Sequence, residues 1–233
     1  GSQSTAMARL TSASIKFDPQ AALAPVYKFI SYKMVFATNA QTYERARTLK
    51  DLVAYSRKSG GVFFGGLGPS SSFNVTNALI NRALAMQYSD IDFPGPAQMM
   101  LALMRNDVQF VLNTPSALKG QLDSKAVVAI GVLSEQRYGD MPDVPTVREA
   151  GYQGYMPQIW NGLFTSRATP AAVRERIAQD VAAVATTPEG RQQFESRFSG
   201  EVLKSSPESF ERELAEETRR WREFFATIHF KPE

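Results

Sequence analysis

The chain has 233 residues, with 26 Lys and Arg against 23 Asp and Glu for a formal net charge of +3, and 43% of it is hydrophobic. That length holds one or two domains with a real core, and the apolar fraction excludes a disordered or low-complexity chain. No apolar run reaches the ~20 residues of a membrane helix, and the scattered, nearly balanced charge excludes a basic nucleic-acid footprint.

With no Cys, disulfides, thiolate catalysis and Cys-ligated zinc are excluded. Absence of Cys is compatible with cytoplasm or periplasm. The one His is His229, so no histidine metal motif can form and a Ser-His-Asp triad is not expected. His229 reads as a solvated tail residue. What remains is binding, or chemistry run by carboxylates, lysine or a cofactor.

The start carries no initiator Met, charged n-region or apolar h-region, so no signal peptide is read here. Gly1 and Ser2 are either a protease scar or native sequence. Residues 1–20 are loop-like. Residues 27–38 (YKFISYKMVFAT) are rich in aromatic and branched residues and predict one bent strand or two joined. Thr48 with Asp51 predicts a capping box and a helix that stops at Gly60 and Gly61. A short strand over 62–64 feeds residues 65–72 (GGLGPSSS), then a helix through Val75, Leu79, Ala83 and Met86.

The alternation continues. A strand at 91–93 precedes Pro94, Gly95 and Pro96 and a helix over 97–105. A strand at 108–112 precedes 113–116 (NTPS) and a short helix, and 127–133 is another strand. This is the signature of an α/β layered fold with a mainly parallel sheet. Further on, 143–146 opens a short helix closed by Gly151, and 160–164 is a strand. Thr169 caps a helix with Pro170 at its first position, burying Val173, Ile177, Val181 and Val184. Pro188 starts another short helix. Ser206 caps the last one, where Phe210, Leu214, Trp221 and Phe225 form one apolar stripe.

The best chemical candidate is the 65–72 turn. A strand ends, the backbone turns on glycines and a helix begins with hydroxyls. Exposed amides at the helix N-terminus, with the hydroxyls of Ser70 and Ser71, would form an anion cradle without a cation. The spacing fails both G-x-G-x-x-G and the P-loop, so nothing singles out a nucleotide phosphate and a carboxylate is equally well served. Ligands in open α/β sheets sit at the carboxyl ends of strands. By that rule Pro94 and Gly95, Asn113 and Thr114, and residues 1–5 with Ser2, Ser4 and Thr5 are further candidates. Phe63, Phe64 and Phe73 read as core. Trp160 is either a buried anchor or a cleft wall. Asp90 and Asp92 are the acids close to the turn, with no partner motif.

At residues 141–151 (MPDVPTVREAG) the chain resembles a segment of the tripartite tricarboxylate transporter receptors, the Bug-type periplasmic solute-binding proteins. Further similar strings follow that family's order: Phe17 to Pro19 with Ala24 to Val26, the 65–72 turn, 113–117 (NTPSA), 160–164 (WNGLF) with Thr169 and Pro170, then Pro207 to Phe210 and Glu217 to Trp221. The resemblance covers nearly the whole chain. It implies a two-lobed periplasmic-binding-protein type II (Venus flytrap) α/β fold, without catalytic residues or cofactor, that captures a small organic acid between lobes for a membrane transporter.

The resemblance also implies differences. The family's first quarter lies before the point matching Gly1, so lobe one is expected to be incomplete. A family His is Asn74 here, Gly66 and Leu67 stand for two other residues of its ligand turn, and its loop after the next strand is shortened to residues 93–95. The implied ligand set is thus Ser2, Ser4, Thr5, Gly66, Leu67, Gly68, Ser70, Ser71, Asn74, Pro94, Gly95, Asn113 and Thr114, with no metal. Lobe one is expected at 1–36 and 126–233, lobe two at 37–125, and the location is periplasmic. Weak ligand binding and a homodimer through an exposed sheet edge, or an aggregation-prone monomer, are expected of such a chain. The rival readings are a degenerate scaffold that has lost its ligand and an α/β enzyme acting on a phosphorylated substrate.

Overall fold

The computed structural model describes residues 2–11, 16, 18–198 and 200–227, so Phe17 and His229 lie outside the described residues. In chain order the elements begin with α1 (Gln3–Thr11), α2 (Pro19–Ala22) and β1 (Leu23–Tyr32). There follow β2 (Val35–Asn39), α3 (Ala40–Tyr43), α4 (Leu49–Ser59), β3 (Val62–Gly66), α5 (Ser72–Ala83), β4 (Tyr88–Asp92), α6 (Pro96–Met104), β5 (Phe110–Asn113), α7 (Pro115–Asp123) and β6 (Val127–Val132). The chain closes with β7 (Trp160–Ser166), α8 (Ala171–Ala185), α9 (Pro188–Phe198), β8 (Gly200–Val202) and α10 (Pro207–Thr227).

These elements divide into two compact units, residues 1–32 with 158–233 and residues 33–157. The sequence places lobe boundaries after 36 and 125, and the compact units divide after 32 and 157. Strands β2 and β6 pair antiparallel with each other, Val35 opposite Val132, inside a single sheet, so both belong to the second unit. The 27–38 run, expected as one bent strand or two joined, is two strands, and they lie in different sheets, β1 in the first unit and β2 in the second.

The first unit holds an antiparallel sheet of order β7-β1-β8. Helix α10 lays its stripe on it: Phe210, Leu214, Trp221 and Phe225 are all buried, as their spacing predicts. Trp160 is a buried anchor in this layer, edge-on to Phe210 at 5.1 Å. Gly162 is glycine because the Phe210 ring lies against it; a Cβ there would stand 2.5 Å from Phe210 Cζ. Two indoles share one buried acid: Trp160 Nε1 donates to Glu217 Oε2 at 2.7 Å and Trp221 Nε1 to Oε1 at 3.2 Å. Burial pushes the Glu217 carboxyl above its ordinary pKa, against the lowering effect of those donors and of Lys28.

Helix α8 departs from its expected packing. It buries Ala178 and Ala185, with Ile177 and Val181 partly covered against Val26 and Tyr27, while Val173 and Val184 are exposed. Its cap is Pro170 without a side-chain bond, one residue beyond the expected Thr169.

The second unit is a five-stranded sheet of order β4-β3-β5-β2-β6. Its core joins Val35, Ala37 and Val111 of the sheet to Met99, Leu103 and Leu118 of α6 and α7. Thr48 and Asp51 form the expected capping box, and α4 ends on Gly60 in the left-handed region, φ 81°. Residues 146–151 make a turn, where a short helix is expected. Thr146 N donates to Glu149 Oε2 at 2.7 Å and Glu149 N to Thr146 Oγ1 at 3.1 Å, and Gly151 at φ 105° ends the turn. No helix among the described residues is long and apolar enough to cross a membrane.

Candidate functional site

Strands β3, β4 and β5 run parallel, with Gly66 opposite Asp92 and Gly65 opposite Val111 in the register. Their carboxyl ends therefore share one edge of the second unit's sheet. Each leads by a short connection into a helix N-terminus, that of α5, α6 or α7. Such ends gather unpaired N–H groups and the positive pole of the helix dipole, which favour an anion or a hydrogen-bond acceptor.

Local sequence makes these starts. Ser71 caps α5, its Oγ accepting from Asn74 N at 3.1 Å, and Thr114 caps α7, accepting from Ala117 N at 3.3 Å. Pro96 and Pro115 stand at first helical positions, where the missing N–H is no loss. Gly95 caps α6 and has no side chain with which to fill the exposed amides.

The 65–72 turn is already occupied from within. Leu67 N donates to Asn74 Oδ1 at 2.9 Å, and Gly68 N donates to Asp92 Oδ1 at 3.0 Å. Asn74 Nδ2 closes the ring, donating to the same Asp92 oxygen at 2.8 Å, while Ser71 Oγ donates to Asn74 Oδ1 at 2.8 Å. Gly66 lies directly beneath; a Cβ on it would come within 2.3 Å of both Asn74 Nδ2 and Asp92 Oδ1. Asn74 is buried and Asp92 exposed. On the same strand, desolvation first and then the Asp92 charge push the Asp90 carboxyl up to about 6.

Of the residues singled out in the sequence, Gly66, Leu67, Gly68, Ser70, Ser71 and Asn74 come together in this turn. Pro94 and Gly95 follow on from β4. At the end of β5, Asn113 turns its Oδ1 back on Thr114 N at 2.8 Å, and Thr114 Oγ1 lies 3.1 Å from Ser116 Oγ. The amides of Leu67 and Gly68 donate to the chain's own side chains.

Ser2, Ser4 and Thr5 belong to the first unit. Ser2 makes an isolated bridge with Asn161, Ser4 lies on α1, and Thr5 lines a cavity of about 260 Å³ with Arg9, Asp18, Gln20, Thr218 and Arg222. Among the described residues no cluster of acids or histidines suits a metal ion. Sequence reasoning placed Asp92 near the turn but gave it no partner. Its one signal is position, as the last residue of a short strand that sits beside the strand of the glycine turn.

Helices entered from the carboxyl ends of parallel strands define an open α/β sheet, the class of fold that binds ligands at that edge. A family model described as the tripartite tricarboxylate transporter family receptor matches residues 1–229, and the chain belongs to that family. It is 25% identical over 182 residues to the UPF0065 protein of the tcbD-tcbE intergenic region of Pseudomonas sp. (strain P51), covering 76% of this chain and 53% of that one. The chain spans about half the length of the curated relatives it matches. In fold it is similar to R. palustris Rpa4515, solved with adipate, at a TM-score of 0.88 and 21% identity over 100% of this chain and 78% of that one. It is similar also to the periplasmic binding protein BugD, at a TM-score of 0.84, 21% identity and the same coverages.

Proposed function

We propose that this chain serves as an extracytoplasmic solute receptor that captures a small organic acid in the periplasm for a tripartite tricarboxylate-type membrane transporter, and that it catalyses no reaction. The observation that carries the reading is the gathering of the α5, α6 and α7 N-termini at one sheet edge. That arrangement suits a carboxylate held by backbone amides and hydroxyls, with no catalytic side chain. Membership of a receptor family and the adipate in the R. palustris structure support the same class of ligand.

Calorimetry and thermal shift with a panel of mono-, di- and tricarboxylates test it. One acid is expected to bind with 1:1 stoichiometry and raise the melting temperature of the chain. Binding no tighter than that of acetate across the panel would refute it. One observation favours a second reading, a scaffold without a ligand: two turn amides are already satisfied internally. The same panel decides between the two.

A further inference from the structure

Resting on the reading that the second unit receives its ligand at this sheet edge, we infer that Asp92 is a specificity-determining residue. Its carboxylate takes the place of a ligand carboxylate on the 65–72 turn and makes that turn accept a hydrogen-bond donor instead.

Three contacts carry this. One oxygen, Asp92 Oδ1, receives both Gly68 N at 3.0 Å and Asn74 Nδ2 at 2.8 Å, while Asn74 Oδ1 receives Leu67 N at 2.9 Å. Leu67 N and Gly68 N are backbone donors of the kind through which a glycine turn would hold an anion. The absence of a side chain on Gly66 makes the closure possible, because a Cβ there would collide with both closing side chains. The second oxygen, Asp92 Oδ2, takes no hydrogen bond from the described residues, and the side chain is exposed.

The turn thus shows the ligand a carboxylate oxygen. A ligand carboxylate brought to it would meet like charge on donors already in use, which is unfavourable at any separation within a few ångströms. An ammonium, amide or hydroxyl group would instead find an acceptor. Asp90, two residues earlier on β4, lies on the same face of the strand by alternation and adds to the negative charge there. The ligand class that fits is a small organic acid that also carries such a donor, its own carboxylate lying toward α6 and α7.

The test reads the Leu67 and Gly68 amide resonances in the 15N-labelled chain, at constant ionic strength, with acetate and methylammonium as probes. In the wild type, methylammonium is expected to shift these amides and acetate is not. In Asp92→Ala, the acetate response should appear, with an apparent affinity about tenfold or more above that of the wild type, and the methylammonium response should vanish. Asp92→Asn keeps an oxygen for the Gly68 and Asn74 donors but puts an amide NH2 where the outward Oδ2 stood, removing both the charge and the free acceptor. It should lose the methylammonium response while its spectrum elsewhere stays that of the wild type, so it carries the test if Asp92→Ala fails to fold. Equal acetate binding in wild type and variants, no acetate binding in any of them, or a methylammonium response that survives loss of the charge would each overturn the assignment. Failure of every acid in the panel would sink the solute-receptor reading, yet these probe titrations would still decide what Asp92 does.

Discussion

Replacing Gly66 by Ala tests whether the closed turn is a structural unit. The new Cβ would stand 2.3 Å from Asn74 Nδ2 and Asp92 Oδ1 and 2.7 Å from Asn74 Oδ1. Ordinary contact needs about 1 Å more. Asp92 is exposed and can swing outward, but Asn74 is buried in the first turn of α5, held by its own N–H on Ser71. Making room therefore breaks the Asn74–Asp92 bond and strains the bonds from Leu67 N and Gly68 N. Two or three hydrogen bonds at about 0.5–1.5 kcal/mol each give a loss of roughly 1–4 kcal/mol. Both Trp residues lie in the first unit, so their fluorescence would not report this loss. Amide exchange of β3, or urea unfolding followed by circular dichroism, would. The control is the Asn74→Ala background, where most of the clash is gone and Gly66→Ala should cost far less. A loss below about 0.5 kcal/mol, or equal losses in both backgrounds, would refute the packing argument.

Ser71→Ala removes the α5 cap and is expected to cost about 1 kcal/mol in denaturant unfolding of the second unit, with threonine restoring most of it. Glu217→Ala removes the acid that accepts from two buried indole N–H groups and should cost about 3–5 kcal/mol, read directly by Trp fluorescence; a change under 1 kcal/mol would mean that the acid holds nothing. Asp90, with its carboxyl pushed up to about 6, holds its proton more tightly folded than unfolded. Its stabilising contribution is therefore full below the ordinary value of 3.8 and lost as pH rises through about 6. Melting temperatures of wild type and Asp90→Asn should then separate between pH 4 and 7, with the variant gaining; parallel curves would exclude the shift.

Much was legible in contiguous residues. Thr48 with Asp51, Gly60 at a helix end, and the strand–glycine–serine–helix order of 62–72 are signals in which a residue and the group it satisfies lie within four positions. The α10 stripe is legible for the same reason, since helical spacing alone gathers Phe210, Leu214, Trp221 and Phe225 on one face. The ordered motifs carried the family. Pairing across the chain was not legible. Residues 27–38 look like one β-rich run, and only the partners of each half, β7 and β8 for β1 but β5 and β6 for β2, send them to separate sheets. Val173 and Val184 have helical spacing yet stay exposed, because what α8 buries depends on the strand beneath it. The turn at 65–72 shows both sides. Its glycines and hydroxyls announce a cradle locally, but the parallel register that sets Gly66 beside Asp92, 26 residues on, is a tertiary choice. That register delivers the carboxylate that fills the cradle, and no local pattern encodes it because strand pairing is decided by packing rather than by neighbours in sequence.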